Sequence, residues 1–221
     1  SGLEISYQYD AAGNRTGWRD NPGGAVQFQF DPMGQITART DAAGTTRRRY
    51  DAAGNLVEQI DPLGQPKRMA YNPAGELVQV TDPSGDTARY KYDRAGKISE
   101  IQHPGGGVTQ LSYNPLGRLL SEKGPGGAVT RYVYDWAGRL TSKTDAKGQT
   151  TTYTYDAAGR LSQKRLADGG MVSYKYDALG QLIEIEDGRF PIRYGYDRAG
   201  RRTEIQYPAL KRTLKYEYGV G

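Results

Sequence analysis

The 221 residues hold 30 Lys and Arg against 25 Asp and Glu, a net charge of +5. The two signs are interspersed, whereas nucleic-acid binders gather basic charge on one face, so no nucleic-acid partner is expected. Hydrophobic residues make up only 36% with 18 Tyr, 30 Gly and no Cys, and mean hydropathy is -0.77. These values exclude an ordinary oily core, disulfides and thiolate metal sites, and favour a sheet wetted on one or both faces by rings with a polar tip.

No stretch approaches the roughly 18 apolar residues of a membrane span, and no signal peptide opens the chain. Ser1-Gly2 reads as a cloning remnant and Gly221 as an abrupt end, so the chain is taken as an excised fragment.

In chain order, an aromatic-(Asp/Asn)-x-x-Gly element recurs ten times. It begins with Tyr9-Asp10…Gly13, Phe30-Asp31…Gly34, Tyr50-Asp51…Gly54, Tyr71-Asn72…Gly75 and Tyr92-Asp93…Gly96. It continues with Tyr113-Asn114…Gly117, Tyr134-Asp135…Gly138, Tyr155-Asp156…Gly159, Tyr176-Asp177…Gly180 and Tyr196-Asp197…Gly200. Successive aromatics stand 20 or 21 residues apart, a repeat signature.

A second turn falls about halfway between them. It reads Asp41-Ala-Ala-Gly44, Asp61-Pro-Leu-Gly64, Asp82-Pro-Ser-Gly85 and Asp145-Ala-Lys-Gly148. Looser forms are Asp20-Asn-Pro-Gly-Gly24, His103-Pro-Gly-Gly106, Gly124-Pro-Gly-Gly127 and a short Asp187-Gly188. Turns every 10 to 11 residues suit a β-meander and leave no room for strand-helix alternation.

Asp-x-x-Gly turns for a chemical reason. The carboxylate accepts backbone amides ahead of it, Ala or Pro suits the next position of a type I turn, and Gly takes the left-handed conformation that closes a three-residue hairpin loop with a bulge. The residue before Asp then faces the residue two after Gly. This predicts the pairs Tyr71–Leu77, Tyr92–Ile98, Tyr113–Leu119, Tyr134–Leu140, Tyr155–Leu161 and Tyr176–Leu182, aromatic against aliphatic. Tyr90/Tyr92, Tyr132/Tyr134, Tyr153/Tyr155, Tyr174/Tyr176 and Tyr194/Tyr196 stand at i, i+2 and share one face. Lys91, Val133, Thr154, Lys175 and Gly195 take the other. At the ends Arg15 and Arg202 replace Leu, and the pattern loosens at Tyr207-Pro208 before resuming at Tyr216-Glu-Tyr218.

Ten repeats of two strands predict about twenty strands, on the order of 95 Å across if flat. Open sheets of that width curl or split, so the array is expected to curl around solvent or a guest.

The element Tyr132-Val-Tyr-Asp-Trp-Ala-Gly-Arg-Leu140, repeated as Tyr153-Thr-Tyr-Asp-Ala-Ala-Gly-Arg-Leu161, resembles the RHS/YD-repeat family over nearly the whole chain. The family includes bacterial Rhs polymorphic toxins, C subunits of insecticidal toxin complexes and teneurins. The resemblance implies an all-β fold of tandem hairpins, a long curved antiparallel sheet that forms an arc of a hollow spiral β-shell. It implies a bacterial protein, secreted or at the cell surface, whose shell encapsulates a C-terminal toxin domain of the same polypeptide and is often delivered by type VI secretion. Family shells end in a DPxGL-type self-cleavage core. Asp31-Pro-Met-Gly34 and Asp61-Pro-Leu-Gly64 look similar, but both fall in phase with ordinary turns and are followed by Gln, so they read as turns.

Sharper chemistry finds little support. The Asp residues come one per turn and none is singled out, so no catalytic site and no cofactor is expected. Calcium-binding β-helices need a nine-residue GGxGxD period, which is absent. His103 has no second His or Cys beside it and reads as a surface turn residue. Trp136 sits inside a turn and is the candidate ligand contact, for which the alternative is an adhesion or carbohydrate-binding repeat protein. Unsatisfied edge strands predict self-association.

Overall fold

The structure, a computed structural model, describes residues 4–20 and 23–219. Asn21 and Pro22 of the Asp20–Gly24 turn, and the end residues Ser1, Gly2 and Gly221, lie outside them. The chain is all-β, with each strand antiparallel to the next. It divides into two compact units, Ser1–Gln110 and Leu111–Gly221.

The first unit holds β1 (Ile5–Tyr9), β2 (Arg15–Asp20), β3 (Ala25–Phe30), β4 (Ile36–Asp41), β5 (Gly44–Tyr50), β6 (Leu56–Ile60), β7 (Pro66–Tyr71), β8 (Leu77–Thr81), β9 (Thr87–Tyr92) and β10 (Ile98–Gln102). The division falls inside β11 (Val108–Tyr113). The second unit continues with β12 (Leu119–Lys123), β13 (Val129–Tyr134), β14 (Leu140–Thr144), β15 (Thr150–Tyr155), β16 (Leu161–Arg165), β17 (Met171–Tyr176), β18 (Leu182–Glu186), β19 (Ile192–Tyr196), β20 (Arg202–Tyr207) and β21 (Arg212–Lys215).

All ten Tyr-Asp turns close in the same way. At Asp156 the backbone amide donates to the Arg160 carbonyl at 2.9 Å, and Gly159 N–H donates back to the Asp156 carbonyl at 2.9 Å. The Asp156 carboxylate takes the Arg160 amide at 2.9 Å. Gly159 sits at φ 80°, the left-handed region in which a side chain is strained. The expected pairs Tyr71–Leu77, Tyr92–Ile98, Tyr134–Leu140, Tyr155–Leu161 and Tyr176–Leu182 are all formed. Even the drifted ends keep the register, as Tyr9–Arg15 and Tyr196–Arg202.

Three half-turns depart from expectation. Asp41 pairs directly with Gly44, so this turn is a two-residue loop, and the missing residue accounts for the short Phe30-to-Tyr50 spacing. Leu166-Ala-Asp-Gly169 is a full half-turn, closed by Leu166 N–H on the Gly170 carbonyl at 2.7 Å. Asp168, displaced two places from the usual position, supplies the carboxylate to Gly170 N–H at 2.8 Å. His103 stands in a half-turn as expected, yet it is half-buried rather than a free surface residue: its Nε2 lies 2.8 Å from the hydroxyl of buried Thr109.

Beyond the expected loop bulge, nine of the Tyr-Asp hairpins carry a second bulge within the strand that the alternation did not announce. Tyr92 pairs with Ile98 but Lys91 pairs with Glu100, leaving Ser99 without an opposite residue. The extra residue lets Ile98 and Ile101, three apart, both lie opposite tyrosines of one face, Tyr92 and Tyr90. Leu77 and Val80 do the same against Tyr71 and Met69.

Burial is shallow. Only Gly17, Val26, Ala38, Thr109 and Ile205 are buried among the described residues, and no large side chain is fully enclosed. The chain exposes 15046 Å², against about 10,000 Å² for a compact monomer of this mass. The Tyr, Leu and Ile stripe is half-buried, and the opposite face carries ion pairs. Glu184 there sits between Lys175 Nζ at 2.5 Å and Arg193 Nε at 2.9 Å, and Glu58 takes Arg68 Nε at 3.0 Å.

Candidate functional site

The motif residues are the natural candidates, and the structure ties most of their tyrosines to the preceding repeat. Between β14 and β15 the ladder runs from Thr144–Thr150 to Ser142–Thr152 and stops. Leu140, two residues further on, faces the opening gap. The Tyr155 hydroxyl fills it, donating to the Leu140 carbonyl at 2.8 Å. The same latch recurs from Tyr50 to Ile36 at 2.9 Å, Tyr71 to Leu56 at 3.0 Å and Tyr92 to Leu77 at 2.7 Å. It continues from Tyr176 to Leu161 at 3.0 Å and Tyr196 to Leu182 at 2.8 Å. Tyr218 makes it to the Arg202 carbonyl at 2.8 Å, so the loosened end recovers the motif in space.

Position matters more than ring here. The motif Tyr lies one repeat beyond the carbonyl it binds, so the hydroxyl joins neighbouring hairpins where backbone rungs have ended. Phe30 can fill the ring position but has no hydroxyl to donate.

The residue after the motif Gly makes a second link. Arg139 Nε binds its own Asp135 at 2.7 Å and its guanidinium lies 4.9 Å from the Tyr155 ring centre. Arg160 repeats this with Asp156 at 2.7 Å and Tyr176 at 4.6 Å, and Arg201 with Asp197 at 2.8 Å and Tyr218 at 4.7 Å. One cation thus ties a turn carboxylate to the next repeat's ring. Arg118 lies so close over the next turn that a Cβ on Gly138 would fall 1.9 Å from its Nη2. Where Glu76 takes this position, the turn residue is Asn72, whose amide donates to Glu76 at 2.7 Å. An Asp there would face a second carboxylate.

These contacts set the electrostatics. The Asp135 and Asp156 carboxyls are held below the ordinary 3.8, first by the backbone amides of Arg139 and Arg160 and then by their guanidinium groups. Asp197 is lowered in the same way by Arg201, and Asp10 and Asp51 chiefly by the side-chain amides of Asn14 and Asn55. Partial burial raises the Tyr92 and Tyr155 phenols above 10.0.

The structure spreads the motif side chains along successive hairpins and does not converge them on a point. Asp31 and Asp61 head plain hairpin turns, each with its amide on the carbonyl of the following Gln, at 2.9 and 3.1 Å. Trp136 is 93% exposed at its turn. The described residues contain no group of three or more His, Asp or Glu side chains placed to hold a metal. No helix among them is long and apolar enough to cross a membrane.

The model of the RHS Repeat family matches residues 9–46, 30–66, 71–108, 113–141, 136–171, 155–189 and 176–212. The chain belongs to the RHS repeat family. Its fold is shared with solved toxin-complex structures. A TcdB2–TccC3 complex without its hypervariable C-terminal region matches with TM-score 0.81 at 21% identity, over 97% of this chain and 13% of that one. A TcdB2–TccC3-TEV structure matches with TM-score 0.79 at 19% identity, over 97% and 15%. The Tc holotoxin pore of Photorhabdus luminescens matches with TM-score 0.57 at 16% identity, over 91% and 13%. This RHS chain therefore spans only a small part of the length of the chains it resembles. No curated protein matches it.

Proposed function

We propose that the chain is a non-catalytic wall segment of an Rhs-type toxin shell, enclosing a C-terminal toxin domain of the same polypeptide. The observation that carries this reading is the repeat-to-repeat latch. A sheet joined by tyrosine hydroxyls and stacked arginines extends without a core of its own, which suits a wall. The thirty motif residues from Tyr9 to Gly200 are assigned to building that wall as one array of about ten repeats, and none to chemistry. Family membership and the fold shared with TcdB2–TccC3, solved without its hypervariable C-terminal region, support it. The wall acts by exclusion, and its polar, mixed-charge faces offer a guest few apolar surfaces to stick to. Export to the cell exterior follows from the same reading.

Limited proteolysis of the full-length polypeptide tests containment. The segment after the repeats is expected to stay uncut under native conditions and to be cleaved once acid opens the array. Native cleavage at the rate of the isolated segment would overturn the reading. A second reading, glycan adhesion, has one observation in its favour, the bare indole of Trp136. Loss of glycan-array binding in Trp136→Ala would support it, and absence of any glycan binding by the parent chain would remove it.

A further inference from the structure

At one junction the chain itself cannot supply the latch. Phe30 is the only motif aromatic without a hydroxyl, and the residue whose carbonyl it should meet, by the spacing of the other repeats, is Arg15. The backbone is laid out as elsewhere. The β2–β3 ladder ends at Gly17–Gln27, two residues short of Arg15, as the β14–β15 ladder ends at Ser142–Thr152, two short of Leu140. The Arg15 carbonyl therefore stands in the acceptor position, and Phe30 offers it no donor.

A second group is missing at the same place. Two residues after the motif Gly, eight of the ten repeats carry Ile or Leu. Arg15 does not, and its guanidinium lies over Tyr7 of its own hairpin, 5.6 Å from the ring centre. Arg202 is the other exception, but there Tyr218 supplies the hydroxyl at 2.8 Å from the Arg202 carbonyl. Only the Arg15–Phe30 junction lacks both the aliphatic side chain and the hydroxyl. A cavity of about 220 Å³ opens there, lined by Asn14 and Arg15 of one repeat and by Phe28, Phe30 and Ile36 of the next. Phe28 and Phe30 stand with ring centres 6.5 Å apart, and both are half-buried with Ile36.

The other repeats show what completes such a junction: an apolar body and one hydroxyl within reach of the carbonyl. We infer that the Arg15–Phe30 junction binds a small phenol, a single aromatic ring with one hydroxyl. The ring takes the volume of the missing aliphatic side chain, against Phe28, Phe30 and Ile36. The hydroxyl donates to the Arg15 carbonyl and closes the link that the motif tyrosine closes elsewhere. An apolar cavity of about 150 Å³ is enough to take benzene, so one ring fits. A ligand with many hydroxyls is disfavoured, because those beyond the first would be held against phenyl rings without partners. The inference does not rest on containment, and either can fail alone.

The test is a titration of the 221-residue chain with p-cresol, toluene and 4-methylanisole, read at the Ile36 methyl resonances. p-Cresol is expected to bind saturably, and the other two, which have no hydroxyl to donate, about fivefold more weakly. Phe30→Tyr supplies the hydroxyl from within the chain. It should weaken p-cresol by about tenfold or more and raise the urea midpoint. Arg15→Leu restores the aliphatic filling and should weaken p-cresol by about tenfold at unchanged circular dichroism. Toluene or 4-methylanisole binding as tightly as p-cresol would overturn the assignment. So would full p-cresol binding or an unchanged urea midpoint in Phe30→Tyr, indifference to Arg15→Leu, or no saturable shift at Ile36.

Discussion

A single phenol oxygen distinguishes the motif tyrosine from any other ring of similar size. Tyr155→Phe keeps the ring against Arg139 and removes the bond to the Leu140 carbonyl. It should lower stability by about 0.5–1.5 kcal/mol, the net value of a hydrogen bond, while Tyr174→Phe should stay within error; urea midpoints of the two variants decide. Titration acts on the same contacts. Asp135, Asp156 and Asp197 have folded-state values below the unfolded 3.8. Their contribution is therefore complete above 3.8 and is lost as pH falls through the lowered values. Urea midpoints should fall between about pH 5 and pH 2, and Asp156→Asn should flatten part of that fall. Tyr155 is raised above 10.0 by burial, so its contribution is present below 10.0 and lost as pH rises through the higher folded value.

At the scale of the hairpin, two constraints meet at the motif glycine. Gly138 has φ 87°, and its missing Cβ leaves room for the Arg118 guanidinium, which lies 6.0 Å from the Tyr134 ring. Gly138→Ala should therefore cost about 1–2 kcal/mol in backbone strain and also displace Arg118. A double-mutant cycle with Arg118→Met should show non-additivity. The turns, the Tyr–Leu register and the tyrosine face were legible in the sequence, because Asp-x-x-Gly fixes a loop and the loop fixes the pairing.

The loop bulge was legible in Asp-x-x-Gly, whereas the second bulge, within the strand, was not, although it left a signal. Apolar residues three apart, as in Ile98-Ser-Glu-Ile101 and Leu182-Ile-Glu-Ile185, fit neither plain alternation nor a helix, and a bulge reconciles them. The Arg after Gly, Arg139 and Arg160 in the two motif copies that carry the resemblance, has no role legible in the sequence. Its partner, the next ring, lies about 16 residues on, beyond any local pattern. The half-turn at Leu166 carries no sequence signal because Leu stands where Asp usually does.

For the whole chain the decisive quantity is how little is buried. Each repeat contacts mainly its neighbours, so stability is expected to accumulate repeat by repeat, as in other repeat arrays. The edge strands β1 and β21 are exposed along their length and leave backbone groups open to another copy. Sedimentation of the 221-residue chain should show a mass that rises with concentration, and a monomeric mass throughout would contradict edge pairing. The central claim, a single-layered wall rather than a packed globule, is tested most directly by small-angle X-ray scattering. A compact globule of this length would have a radius of gyration of about 17 Å. The account predicts a value well above that, with a profile unlike a solid sphere's; a radius near the compact value with a solid-globule profile would contradict it.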